Sequence, residues 1–97
     1  MTFLVIEKFN KDKIKLLYQR LEKEGRLMPE GIEYISSWID IDITTCYQIV
    51  KGANIGQIQE WLTRWAGFAE FEIIPVIDSA TASKIVLSEE SQELKFC

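Results

Sequence analysis

Glu7 carries the sharpest chemistry in this chain, because it is a carboxylate in the middle of the apolar run Phe3-Leu4-Val5-Ile6-Glu7-Lys8-Phe9. Desolvating a carboxylate raises its pKa or demands a cation or donor nearby. Glu7 is therefore either a functional acid or base, or a structural carboxylate held by hydrogen bonds or facing a water-filled cavity. Other residue types suited to a ligand site are Glu72 as a second carboxylate, Gln48 and Ser36 as hydrogen-bonding groups, Tyr34 and Trp38 as aromatic walls, and Arg26 as a cation at the mouth. Such a set binds and orients a small molecule, with Glu7 as the one candidate catalytic group. For Trp38 the alternative is ordinary core or interface packing.

The chain has no histidine. That excludes haem ligation through imidazole, a histidine-centred metal site and a Ser-His-Asp triad. Glu7 and Glu72 together lack a third ligand, so no metal site and no cofactor is assigned. Cys46 lies in a strand-like segment with no imidazole to activate it, and it reads as a packed thiol rather than a nucleophile. Cys46 and Cys97 are too far apart in sequence to suggest a disulfide framework, which fits a reducing compartment.

The elements that must position these residues follow from periodicity. Thr2 to Phe9 alternates as a strand, and Asn10 or Asp12 caps a helix in which Ile14, Leu17, Tyr18 and Leu21 share a face and Gly25 stops the turn. Met28-Pro29-Glu30-Gly31 is a type I turn by its proline and glycine positions, and it leads into a second strand running to about Asp40. Thr45 to Lys51 forms a hairpin with that strand. Asn54 with Gln57 resembles a capping box, opening a helix with Ile55, Ile58, Trp61, Leu62 and Trp65 on one stripe, ended by Gly67. Trp61 and Trp65 read as core. Phe71 to Asp78 is the last strand, with Pro75 confining it to an edge or bulge. A short helical turn reaches Leu87, and the acidic stretch 88–97 is expected to be a flexible tail outside a single domain spanning 1–87.

Strand, helix, strand, strand, helix, strand is the order of the ferredoxin-like βαββαβ sandwich, an α+β fold with a four-stranded antiparallel sheet and two helices on one face. Alternation leaves the choice of face open. We assign Leu4, Ile6, Ile35, Ile39, Tyr47, Ile49, Ile73 and Ile77 to the helix side. Phe3, Val5, Glu7, Tyr34, Ser36, Trp38, Cys46, Gln48, Glu72 and Ile74 then fall on the open side. An apolar patch of that extent marks an interface or ligand site.

Composition narrows the function classes. At 97 residues and 47% hydrophobic content there is room for one modest core. A net charge of −4 with interspersed lysines and arginines argues against nucleic-acid binding, and the lysines between Lys8 and Lys15 read as a solvated helix entrance. No stretch approaches the roughly 18 apolar residues of a membrane span, and the first residues lack a signal-peptide pattern, so a cytoplasmic protein is expected.

Val5-Ile6-Glu7, Arg26 with Met28-Pro29-Glu30-Gly31, Tyr34, Ser37-Trp38, Cys46 with Gln48, Glu60-Trp61 with Arg64-Trp65, and Phe71-Glu72 before Pro75-Val76 carry a resemblance. The chain resembles an uncharacterised bacterial family of unknown function within the dimeric α+β barrel superfamily. The resemblance implies a homodimer whose two sheets face each other around a cavity. It implies no reaction. Three functions are consistent with it. The first is a small-molecule binding protein holding an apolar or aromatic ligand between the sheets, oriented by Glu7 and Gln48. The second is a cofactor-independent monooxygenase or isomerase in which Glu7 abstracts a proton from an aromatic substrate. The third is an assembly domain without a ligand.

Overall fold

The computed structural model describes residues 1–89. β1 is Thr2–Phe9, and a 3₁₀ turn, Lys11–Lys13, feeds α1, Ile14–Glu24. The hairpin is β2, Glu33–Ile39, and β3, Thr45–Lys51; α2, Ile55–Thr63, β4, Ala69–Val76, and α3, Ser79–Glu89, follow. The strands pair antiparallel in the order β2-β3-β1-β4, which with the intervening helices is the ferredoxin-like α+β arrangement. No helix among the described residues is long and apolar enough to cross a membrane.

The local signals act much as their chemistry dictates. Asn54 Oδ1 accepts the backbone N–H of Gln57 at 3.0 Å, and Gln57 Oε1 reaches back to the N–H of Ala53 at 2.8 Å, so the start of α2 is closed reciprocally. Gly25 closes α1 with φ 71°, its N–H bonded to the Leu21 carbonyl at 2.8 Å. Pro75 sits in β4, an edge strand, where its missing N–H disturbs no central ladder. The β2–β3 connection is tied by Asp40, whose carboxylate accepts the N–H groups of Thr44 and Thr45, both at 2.8 Å, and the Thr44 hydroxyl at 2.6 Å. These bonds hold the Asp40 carboxyl below the usual carboxylate range.

The core lies between the sheet and α2, where Phe3, Val5, Val50, Ile58, Trp61 and Leu62 are buried and Met28, Ile32, Phe71 and Ile73 pack against them. Phe3, Val5, Val50 and Ile58 are fully inaccessible, each contributing about 1.5–3 kcal/mol of apolar transfer.

This arrangement corrects the face assignment on β1 and β3. Phe3, Val5, Cys46, Gln48 and Val50 are buried beneath the helices, and register places Glu7 on the same face opposite Cys46. Leu4, Ile6, Tyr47 and Ile49 form the open face instead. The cause is that both faces of β1 are apolar, so alternation alone could not choose between them. On β4 the assignment stands: Ile73 pairs with Val5 on the helix side, and Glu72 and Ile74 pair with Ile6 and Leu4 on the open side. On β2, Ser36 and Trp38 are open-side and Ile39 is helix-side, as expected. A bulge between Tyr34 and Ser36 flips Tyr34 to the helix side, opposite Val50.

α3 is longer than the short turn expected, because Asp78 caps it through the N–H of Thr81 at 2.7 Å. It takes in Ser88 and Glu89; the remainder of the expected tail lies outside the described residues.

Candidate functional site

α1 buries only Leu17, leaving Leu16 and Tyr18 exposed. The space beneath it is a cavity of about 200 Å³ bounded by Leu17, Tyr18 and Leu21 on one side and by Trp61 and Trp65 on another. Its floor is the helix-facing surface of the sheet, where Glu7, Cys46, Gln48, Ser37 and Arg26 converge.

The polar floor is a directed chain. Arg26 Nε donates to Gln48 Oε1 at 3.0 Å, and Gln48 Nε2 donates to Glu7 Oε1 at 3.0 Å. Because a guanidinium only donates, the oxygen end of the Gln48 amide must face Arg26, which turns its NH₂ toward Glu7. Gln48 is 3% exposed, so leaving either end unpaired would cost about 1–3 kcal/mol. Arg26 Nη2 also donates to Ser37 Oγ at 3.2 Å, and Ser37 Oγ is 2.8 Å from the Tyr34 hydroxyl. The guanidinium carbon stands 4.0 Å from the centre of the Tyr34 ring, a cation–π stack.

Arg26 itself is held from the backbone. Its carbonyl accepts two indole N–H groups, Trp61 Nε1 at 2.8 Å and Trp65 Nε1 at 2.9 Å. Gly25 and Leu27 on either side have φ of 71° and 58°. A leucine in the left-handed region is uncommon, and here the Leu27 carbonyl is tied to Arg64 Nη1 at 2.7 Å. Two tryptophans and an arginine thus fix the loop that delivers the Arg26 side chain to the floor. Above, Arg20 of α1 stacks on Trp65 at 4.9 Å and donates to the Arg64 carbonyl, clasping α1 to the end of α2.

Burial pushes the Glu7 carboxyl up from 4.5 to about 7, and Arg26 pulls it only partly back. The inserted amide explains the balance, since Arg26 meets Glu7 through Gln48 rather than as a direct ion pair. Burial first, then the neighbouring Glu7, pushes the Cys46 thiol up to about 12. Burial likewise raises the Tyr18 phenol, with smaller contributions from Cys46 and Glu7. Glu7 Oε2 has no protein partner among the described residues yet is not sealed off, and the same is true of Arg26 Nη1. The floor therefore offers a carboxyl oxygen and a guanidinium N–H to whatever enters.

Of the residues singled out in the sequence, Glu7, Arg26 and Gln48 come together here, and Tyr34 joins them through Ser37 and its stack on Arg26. Ser36, Trp38 and Glu72 do not: they belong to the opposite face of the sheet. Trp38 is 71% exposed there. Sequence reasoning missed Ser37, Cys46 and Tyr18 as lining residues, and it counted Trp61 and Trp65 as core only. Ser37 shares the helix side with Ile39 and was passed over because the site was expected on the opposite face; the spacing of Trp61 and Trp65 at i and i+4 was the visible signal for a paired contact.

A ferredoxin-like α+β domain with a partly polar cavity under its helices is the class these features define. Among solved structures, SCO4226 from Streptomyces coelicolor A3(2) has a similar fold, with a TM-score of 0.54 at 19% identity, covering 81% of this chain and 99% of that one. Residues 1–89 match the family described as a domain of unknown function, DUF3303, and the chain belongs to that family. Comparison with curated proteins returned no match.

Proposed function

We propose that the protein binds a small molecule with an aromatic or apolar body in the cavity beneath α1. One observation carries this reading: apolar walls and an unspent carboxyl and guanidinium meet in one partly open cleft within a single chain. Its 200 Å³ is somewhat larger than the ~150 Å³ that holds a benzene in an engineered cavity, which sets the ligand between benzene and indole in size. The face correction on β1 and β3 favours this place over a cavity between two sheets, since Glu7 and Gln48 point toward the helices.

The test is saturation-transfer NMR with phenol, indole and benzamide, read beside tryptophan fluorescence, because Trp61 and Trp65 line the cavity. Binding at micromolar to low millimolar concentration with a change in indole emission supports the reading. No binding by any probe of this size refutes it.

The open face of the sheet supports the homodimer and, with it, membership of the dimeric α+β barrel superfamily. Leu4, Ile6, Tyr47, Ile49 and Ile74 share it with the exposed Trp38, and a surface of that composition is an interface in search of a partner. Sedimentation at low micromolar concentration should give twice the chain mass, and Trp38→Ser should shift it toward the monomer. An isomerase that uses Glu7 as base is a second reading, favoured by a carboxyl titrating near neutrality.

A further inference from the structure

The geometry points to a small carboxylic acid as the cavity's ligand, its carboxylate on the Arg26 guanidinium and its second oxygen hydrogen-bonded by a protonated Glu7. This rests on the binding reading above and names the chemistry of its ligand. The polar floor holds one permanent cation, Arg26, which spends Nε on Gln48 and Nη2 on Ser37 and keeps Nη1 open. A guanidinium with unspent N–H groups is matched to a carboxylate. Beside it, Glu7 Oε1 is occupied by Gln48 while Oε2 is open, and an open carboxyl oxygen that carries a proton donates to an incoming anion.

A cationic ligand fits this floor poorly. It would have to approach Glu7 across the fixed guanidinium, and Arg26 cannot retreat: its ring stack on Tyr34 and the two indole bonds to its carbonyl anchor both ends of the residue. A carboxylate gains from Arg26 and repels an ionised Glu7, so it binds together with a proton taken from solvent. The groups facing Glu7 allow no other acceptor for that proton near neutrality. Gln48 on β3 does not titrate, Arg26 stays charged, and burial holds both the Cys46 thiol on β3 and the Tyr18 phenol on α1 in their protonated forms. From β4, Phe71 is the residue paired opposite Glu7.

Three isosteric probes separate the possibilities: benzoate, benzamide and benzamidine, titrated calorimetrically at pH 6, 7 and 8 in buffers of different ionisation enthalpy. Benzoate is expected to bind tightest. It should take up close to one proton at pH 8 and about half at pH 7, with affinity falling by up to about tenfold between pH 7 and 8. Glu7→Gln should abolish the proton uptake and the pH dependence while retaining benzoate binding at pH 8. Arg26→Lys should weaken benzoate by tenfold or more at every pH. Benzoate binding without proton uptake, or benzamidine binding tightest, overturns the proposal. If benzamide binds and benzoate does not, the cavity reading stands and the acid is wrong; if none of the three binds, both fall.

Discussion

Replacing Glu7 by glutamine should make the fold more stable at pH 8 and leave it nearly unchanged at pH 5. Folding raises the Glu7 pKa from 4.5 to about 7. Below pH 4.5 both folded and unfolded chains hold the proton, and nothing depends on pH. Between 4.5 and 7 the unfolded chain releases a proton that the folded chain keeps, so stability falls as pH rises. Above 7 both are ionised and the loss is complete, on the order of 3 kcal/mol for that gap in pKa. Most of the loss falls between pH 5 and 8, where the chain has no histidine to obscure it. Glutamine keeps an oxygen to accept from Gln48 Nε2 and removes the ionisation, so the variant's curve should be flat. For a domain of this size, 1 kcal/mol corresponds to about 4–8 °C in Tm, so the wild type should melt roughly 10 °C or more lower at pH 8 than at pH 5. Circular-dichroism melts and urea titrations of both proteins across this range make the measurement. A wild-type curve that is flat or rises toward pH 8 would refute the desolvation account, as would a variant with the same slope.

Cys46 should be nearly inert in the folded protein. With its thiol moved from 9.0 to about 12, the thiolate fraction at pH 8 drops by about a thousandfold, and iodoacetamide labelling of a Cys97→Ser background should slow accordingly and recover in urea. Labelling at the rate of a free thiol would show that solvent reaches Cys46. Phe3→Ala should cost about 3–5 kcal/mol in urea melts, because the ring is wholly inaccessible against Val50 and α2. A loss under 1 kcal/mol would mean that the helix side of β1 has been assigned wrongly.

Much of the architecture was legible in the sequence because its signals are local. Asn54, Gln57 and Gly25 act through bonds within a few residues, and the expected strands fall within a residue or two of the observed ones, while α2 ends at Thr63, short of the expected stop at Gly67. The side of the sheet on which β1 and β3 bury their residues was not legible. Phe3 and Val5 compete with Leu4 and Ile6 at equal hydrophobicity, and only the long-range choice of where α2 docks breaks the tie. Tyr34, named as a candidate wall, was placed on the same side of β2 as Ser36 and Trp38 for a related reason: one extra residue at the bulge reverses the alternation on which face assignment depends. Glu7, Gln48 and Arg26 were nonetheless recognised as candidates, because a polar group in an apolar strand demands a partner wherever the strand is placed. Trp38, Ser36 and Glu72 do lie on the open side as assigned, and they were grouped with Glu7 and Gln48 only because the face of β1 and β3 was chosen wrongly.

The same reasoning explains why the Arg26 loop is built as it is. A lone arginine near a buried carboxyl would swing onto it, form a direct ion pair and depress its pKa. Here the peptide between Gly25 and Leu27 is pinned by two indole N–H groups on one carbonyl, and the guanidinium is pinned again by Tyr34 and Ser37. Gln48 then stands between cation and carboxyl, bonded to both. The charge of Arg26 is thereby kept available in the cavity, and the Glu7 proton is kept near its titration point, neither neutralising the other. Loosening the anchor should collapse that separation. In Trp61→Phe, where one indole bond is lost and the ring volume largely retained, Arg26 gains freedom to approach Glu7. The upper end of the pH range over which the fold loses stability should then move downward, from about 7 toward the ordinary 4.5, and the loss between pH 5 and pH 8 should shrink with it. A merely structural role for Trp61 would lower the melting temperature equally at pH 5 and pH 8 and leave the difference between the two unchanged.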